Sequence, residues 1–76
     1  MSSDPKTQLK ELADCGKIPP ARYSTRREGG TEHAPGWVAE VSLPGYGSAT
    51  GVGNSKVEAE QSAAAAAQQQ YDLPRR

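Results

Sequence analysis

The sequence has no phenylalanine, one tryptophan and one methionine, so the bulky apolar side chains that fill a large interior are missing. A chain of 76 residues has room for one small domain, and folding at this size buries only about 60% of the unfolded surface. A cavity deep enough for a small-molecule substrate is not expected. The single cysteine, Cys15, excludes an internal disulfide and a cluster of thiolate ligands. The single histidine, His33, lies in a segment with no Ser, Cys or Asp partner at local spacing. The carboxylates are scattered, with no pair spaced for acid–base work, and no His/Cys cluster could hold zinc. Neither a metal nor another cofactor is expected, and catalysis finds few candidate residues. An apolar run long enough for a signal peptide or a membrane span is also lacking. A reducing, cytoplasmic setting is therefore the expectation.

An excess of charge of either sign is missing as well. Nine basic residues balance nine acidic ones. Strong, unselective polyanion binders usually carry a basic surplus, so any such binding here must rest on a local patch.

What remains is well punctuated. Asp4 can cap a first helix, with Pro5 at the first helical position, where a missing N–H costs nothing. Leu9, Leu12 and Ala13 follow the spacing of one buried stripe. Gly16 supplies a stop after Cys15, and Pro19-Pro20 prevents the helix from resuming. A strand is expected from Tyr23 to Arg27, then a loop from Glu28 to Gly36, rich in turn formers. Trp37 to Leu43 is the clearest strand, with Trp37, Ala39, Val41 and Leu43 on one face. Pro44-Gly45 suits a type II turn, and a glycine-rich third strand follows from Gly47 to Val52. A second helix runs from Ser55 to Gln70, with Ala59, Ala63, Ala66 and Ala67 as its buried stripe. Leu73 to Arg76 reads as a frayed tail. The expected architecture is α+β, in the order α-β-β-β-α, with two helices on one face of a three-stranded antiparallel sheet.

Two features could carry a function. Gly51-Val52-Gly53-Asn54-Ser55-Lys56 is not a P-loop, because the order of its residues is wrong. It does place free N–H groups, a hydroxyl and a lysine at a helix N-terminus, where a phosphate could sit. The plainer reading is a strand-to-helix turn capped by Ser55 or Asn54. On the first helix Thr7, Lys10, Glu11 and Asp14 share one exposed face, which could equally be only solvated.

Three stretches resemble the double-stranded RNA-binding domain, and most closely the version at the C-terminus of bacterial ribonuclease III. They are Asp4-Pro5-Lys6-Thr7-Gln8-Leu9-Lys10-Glu11-Leu12, Gly30-Thr31-Glu32-His33-Ala34, and Gly51 through Gln61. The resemblance implies a domain over residues 4–71, with 1–3 and 72–76 as flexible tails. It also implies double-stranded RNA as the partner, met at three places. Thr7, Lys10, Glu11 and Asp14 would meet 2′-hydroxyls and base edges of one minor groove. Gly30, Thr31 and His33 would enter the next. Asn54, Ser55 and Lys56 would sit on the phosphates between them, in a shape-reading mode that spans about 16 base pairs. A catalytic nuclease domain would lie outside this stretch, so the chain would serve as the RNA-docking arm of a ribonuclease III-like protein or as a small free-standing binder.

The sequence also departs from the family pattern. Val57 and Glu60 stand where a basic cluster usually has lysines, and Pro35-Gly36 replaces the usual lysine after His33-Ala34. Phosphate contacts supply much of the affinity in such complexes, so binding weaker than the family norm is expected. The alternative is a degenerate member of the fold that pairs with a protein partner or with itself.

Overall fold

The computed structural model describes residues 4–28 and 36–74. In chain order these form α1 (Pro5–Asp14), β1 (Arg22–Arg27), β2 (Trp37–Leu43), β3 (Gly47–Gly53) and α2 (Lys56–Gln70). The expected α-β-β-β-α order is therefore present. The three strands pair antiparallel in the order β1-β2-β3.

Side-chain alternation decides the faces of the sheet. Tyr23 lies opposite Val41, which lies opposite Ala49; Thr25, Ala39 and Gly51 form the next row, and Arg27, Trp37 and Gly53 the last. On this inner face Ala39, Val41, Leu43 and Ala49 are buried, while Glu40 and Ser42 point to solvent. The β2–β3 connection is the type II turn that Pro44-Gly45 suggested. Tyr46 N–H donates to Leu43 O at 2.9 Å, and Gly45 holds φ of 88°, a region that costs glycine nothing.

Along the inner face of β3 the residues are small, and this sets how closely α2 can lie. A Cβ built on Gly51 would collide with the backbone N of Ala63 and with Ser62, and one on Gly53 would come within 2.6 Å of the backbone N of Ala59. Glycine inside a strand commonly marks such an approach of another backbone. The helix answers with alanine: Ala59, Ala63, Ala64 and Ala67 are fully buried. Ala66, assigned to the stripe from sequence, is only partly buried, and Ala64 takes its place.

Against α2 rests α1, whose Leu9 and Leu12 join the same core, with Ala13 at its edge. Its C-terminus closes in a Schellman motif. Lys17 N–H donates to Leu12 O at 2.9 Å and Gly16 N–H to Ala13 O at 3.0 Å, with Gly16 at φ of 77°. The chain then buries Ile18. At the other end Asp4 is the N-cap residue but makes no side-chain capping bond. That task falls to α2, because Gln61 Oε1 accepts the Lys6 backbone N–H at 3.1 Å.

Beyond α2 the chain stays docked through Leu73, which corrects the expectation of a tail frayed from that residue. Tyr71 O–H donates to Ser48 O at 2.7 Å, and its ring covers Gly47. Tyr71 and Leu73 both pack on the core.

Candidate nucleic-acid interface

The α1 face forms where the two leucines turn inward. Thr7, Lys10 and Asp14 are exposed, whereas Glu11 is half-buried. The first three line a shallow groove of about 400 Å³ together with Lys6, Ala13, Pro20, Ala21 and Tyr23. Glu11 does not line this groove. Tyr23 forms part of its floor. Its hydroxyl is buried without a hydrogen-bond partner, and its pKa is pushed up to about 12, first by burial and then by the charge of Glu60. The Lys6 ammonium lies 5.3 Å from the Tyr23 ring centroid, within cation–π range.

At the start of α2, sequence alone left a phosphate site and a plain cap as alternatives, and the structure contains the cap. Ser55 Oγ accepts from Glu58 N–H at 3.2 Å, and Glu58 Oε1 accepts from Asn54 N–H at 3.3 Å. This resembles a capping box, with the Glu58 carboxylate reaching one residue beyond the N-cap Ser55 to Asn54; the Ser55-x-x-Glu58 pattern was legible but not singled out from the sequence. The Ser55 oxygen is thus occupied within the turn, and a carboxylate stands at the helix entrance. Asn54 and Lys56 are exposed, and Lys56 forms no ion pair among the described residues. Val57 beside it is 59% exposed. It is a surface residue and not a buried anchor.

The loop residues Gly30, Thr31 and His33 lie outside the described residues. The stems of that loop are described: Glu28 N–H donates to Gly36 O at 3.0 Å. Because Arg27, Trp37 and Gly53 share one row of the sheet, these stems leave from the same end as the turn into α2.

Glu60, which stands at a lysine position of the family pattern, is not an unpaired acid. Its Oε1 accepts from Lys6 Nζ at 2.6 Å, and its side chain is only 17% exposed. Lys6, Glu60 and Gln61 tie the first turn of α1 to the second turn of α2, one turn from Lys56. Farther along, Gln68 Nε2 donates to Gln8 Oε1 at 2.7 Å. Sequence reasoning missed this seam because its partners are 54 to 60 residues apart.

Among the described residues, no group of three or more His, Cys, Asp or Glu side chains could hold a metal ion. No helix among them is long and apolar enough to cross a membrane.

The model of the family described as "Double-stranded RNA binding motif" matches residues 5–71. Among similar proteins, ribonuclease 3 of Bartonella henselae is 45% identical over 62 residues, covering 80% of this chain and 26% of that protein. Ribonuclease 3 of Azorhizobium caulinodans is 41% identical over 63 residues, covering 83% of this chain and 27% of the relative. For ribonuclease 3 of Phenylobacterium zucineum the identity is 38% over 63 residues, covering 83% and 26%. The chain therefore spans about a quarter of the length of these relatives. With the motif matched across nearly all of its length and the α-β-β-β-α fold in place, the chain belongs to the double-stranded RNA-binding motif family.

Proposed function

We propose that this domain binds duplex RNA by shape, using α1 and the start of α2 as one surface. The observation that supports the reading is the seam at Lys6, Glu60 and Gln61, which ties the first turn of α1, next to the exposed Thr7, to the turn of α2 that follows the exposed Lys56. The α1 residues meet 2′-hydroxyls and base edges in one minor groove, and Glu11 contributes from its half-buried position. Gly30, Thr31 and His33 reach the following minor groove. Lys56 and the open N–H groups at the start of α2 attract phosphates across the major groove between them. The Ser55 hydroxyl can still donate to a phosphate oxygen while its lone pair caps Glu58 N–H, because a hydroxyl carries one donor and two acceptor sites. With one lysine at the helix entrance and Glu58 nearby, affinity stays modest. In a longer protein resembling the ribonuclease 3 relatives, the domain acts as the RNA-docking arm, and hydrolysis belongs to another domain.

Two substitutions at the helix entrance test this reading through the salt dependence of binding. Each phosphate contact adds nearly one to the slope of log affinity against log salt, or about threefold between roughly 50 and 200 mM. Lys56→Ala is expected to weaken duplex RNA binding by about threefold to tenfold at low salt and to flatten the slope by about one. Its thermal melt should stay close to that of the parent, because Lys56 is exposed. Unchanged affinity in the folded variant would place the contact face elsewhere.

Val57→Lys is expected to do the opposite. A lysine suits a helix slightly better than valine, by a few tenths of a kcal/mol. A cation in the first turn costs a comparable amount against the dipole, so stability should barely move. Affinity at low salt should rise by about threefold, with the slope steeper by about one. A folded Val57→Lys variant with the parent's affinity and slope would contradict phosphate contact at this turn.

A further inference from the structure

Glu60 poses a problem of sign. A carboxylate on the second turn of α2, near a surface meant for phosphates, should weaken RNA binding, and charge counting predicts that its removal helps. The geometry points the other way. Glu60 Oε1 holds the Lys6 ammonium at 2.6 Å, the adjacent Gln61 Oε1 holds the Lys6 backbone N–H at 3.1 Å, and both side chains come from one turn of α2. One residue of α1 is thus fixed by its main chain and its side chain together. The second contact supplies the N-terminal cap that Asp4 does not. The Tyr23 ring from β1 lies beneath the same ammonium, so the grip spans α1, α2 and the sheet.

This matters because these contacts hold the first turn of α1. Farther along, α1 rests on α2 through Leu9 and Leu12 in the core, Ala13 at its edge and the Gln68–Gln8 hydrogen bond. Two leucines fix its distance from α2 more firmly than its rotation about its own axis. A rotation would swing the exposed Thr7, Lys10 and Asp14 relative to the turn that holds Lys56, and a rigid duplex meets both contact regions only at one separation and angle. A contact set a fraction of an ångström or a few degrees loose loses much of its value.

We infer that Glu60, with Gln61, is a positioning residue for RNA recognition: it fixes the rotation of α1 through Lys6, so this acidic side chain supports binding to a polyanion. The inference rests on the RNA-binding reading proposed above.

The test uses the full chain, with Glu60→Ala and the charge swap Lys6→Glu/Glu60→Lys, titrated against a duplex RNA of about 20 base pairs, longer than the expected footprint. Residual dipolar couplings of the free proteins report the orientation of α1 relative to the sheet. Alanine keeps α2 helical, so the variant should fold. Glu60→Ala is expected to bind about fivefold to tenfold more weakly, with an unchanged salt slope because no phosphate contact is lost, and with altered α1 couplings. The swap is expected to recover affinity to within about threefold and to restore the couplings. A purely stabilising pair would lower the melting temperature while leaving the folded protein's affinity intact, and that result overturns the inference. Equal or tighter binding by Glu60→Ala overturns it as well, as does a swap no better than the single variant. If the parent chain binds no duplex RNA, the functional reading fails, and the α1 couplings alone decide whether Glu60 sets the helix; unchanged couplings then overturn that too.

Discussion

Replacing Gly51 with alanine should cost this domain about 3 kcal/mol or more, although the same change in an ordinary strand is neutral or helpful. Gly51 is not held at positive φ, so backbone strain is not the cause. The added methyl group would meet the backbone of α2 at Ala63 and the Ser62 residue, and a helix backbone cannot turn aside as a side chain can. Either α2 lifts from β3, opening the contacts of Ala59, Ala63 and Ala67, or the strand buckles. A domain of this length has a total stability of only about 5–10 kcal/mol, and each kcal/mol lost lowers the midpoint by about 4–8 °C. Gly51→Ala should therefore melt at least about 12 °C below the parent, or fail to fold at ordinary temperatures. Gly36→Ala is the matched control, since a Cβ there meets nothing within 4 Å, and its midpoint should hardly change. Thermal unfolding followed by circular dichroism compares the two. A Gly51→Ala midpoint equal to the parent's would mean that α2 does not lie on β3 as described.

That close packing also explains which parts of the fold were legible in the sequence. Alternation in Trp37–Leu43, the Pro44-Gly45 turn and the Gly16 stop are local signals, and each was recovered where the sequence placed it. The face of α2 was less legible. In a run of five alanines every position has the same apolar character, so the pattern could not choose Ala64 over Ala66. The choice is made by Gly51 and Gly53 across the interface. Asp4 illustrates the same limit: it has the composition of a cap, yet its role passes to Gln61, 55 residues away from the N–H it binds.

The candidate site divides along similar lines. Helical spacing predicted Thr7, Lys10, Glu11 and Asp14 on one exposed face; Thr7, Lys10 and Asp14 are exposed, whereas Glu11 is half-buried. Lys56 at the entrance of α2 followed from the strand-to-helix turn. The ion pair of Glu60 was not foreseen because its partner, Lys6, lies 54 residues away. Charge read residue by residue cannot show which acids are already neutralised. Gly30, Thr31 and His33 lie outside the described residues, so their part in binding rests on the family resemblance.

The central claim is that the two-helix surface reads the A-form duplex. Replacing RNA with DNA removes every 2′-hydroxyl and changes the groove spacing. If three hydrogen bonds to 2′-hydroxyls are lost at about 1 kcal/mol each, the penalty is about 3 kcal/mol, or on the order of a hundredfold in affinity. Changing the base sequence of the RNA should alter affinity by no more than about threefold, since shape and not base identity is read. The most direct measurement is a competition titration of the parent chain, at one fixed salt concentration, with duplex RNA of about 20 base pairs against duplex DNA of the same sequence. The account predicts that RNA binds on the order of a hundredfold more tightly than DNA. Equal affinity for the two duplexes, or binding to neither, would contradict it and favour a protein-pairing role for the same fold.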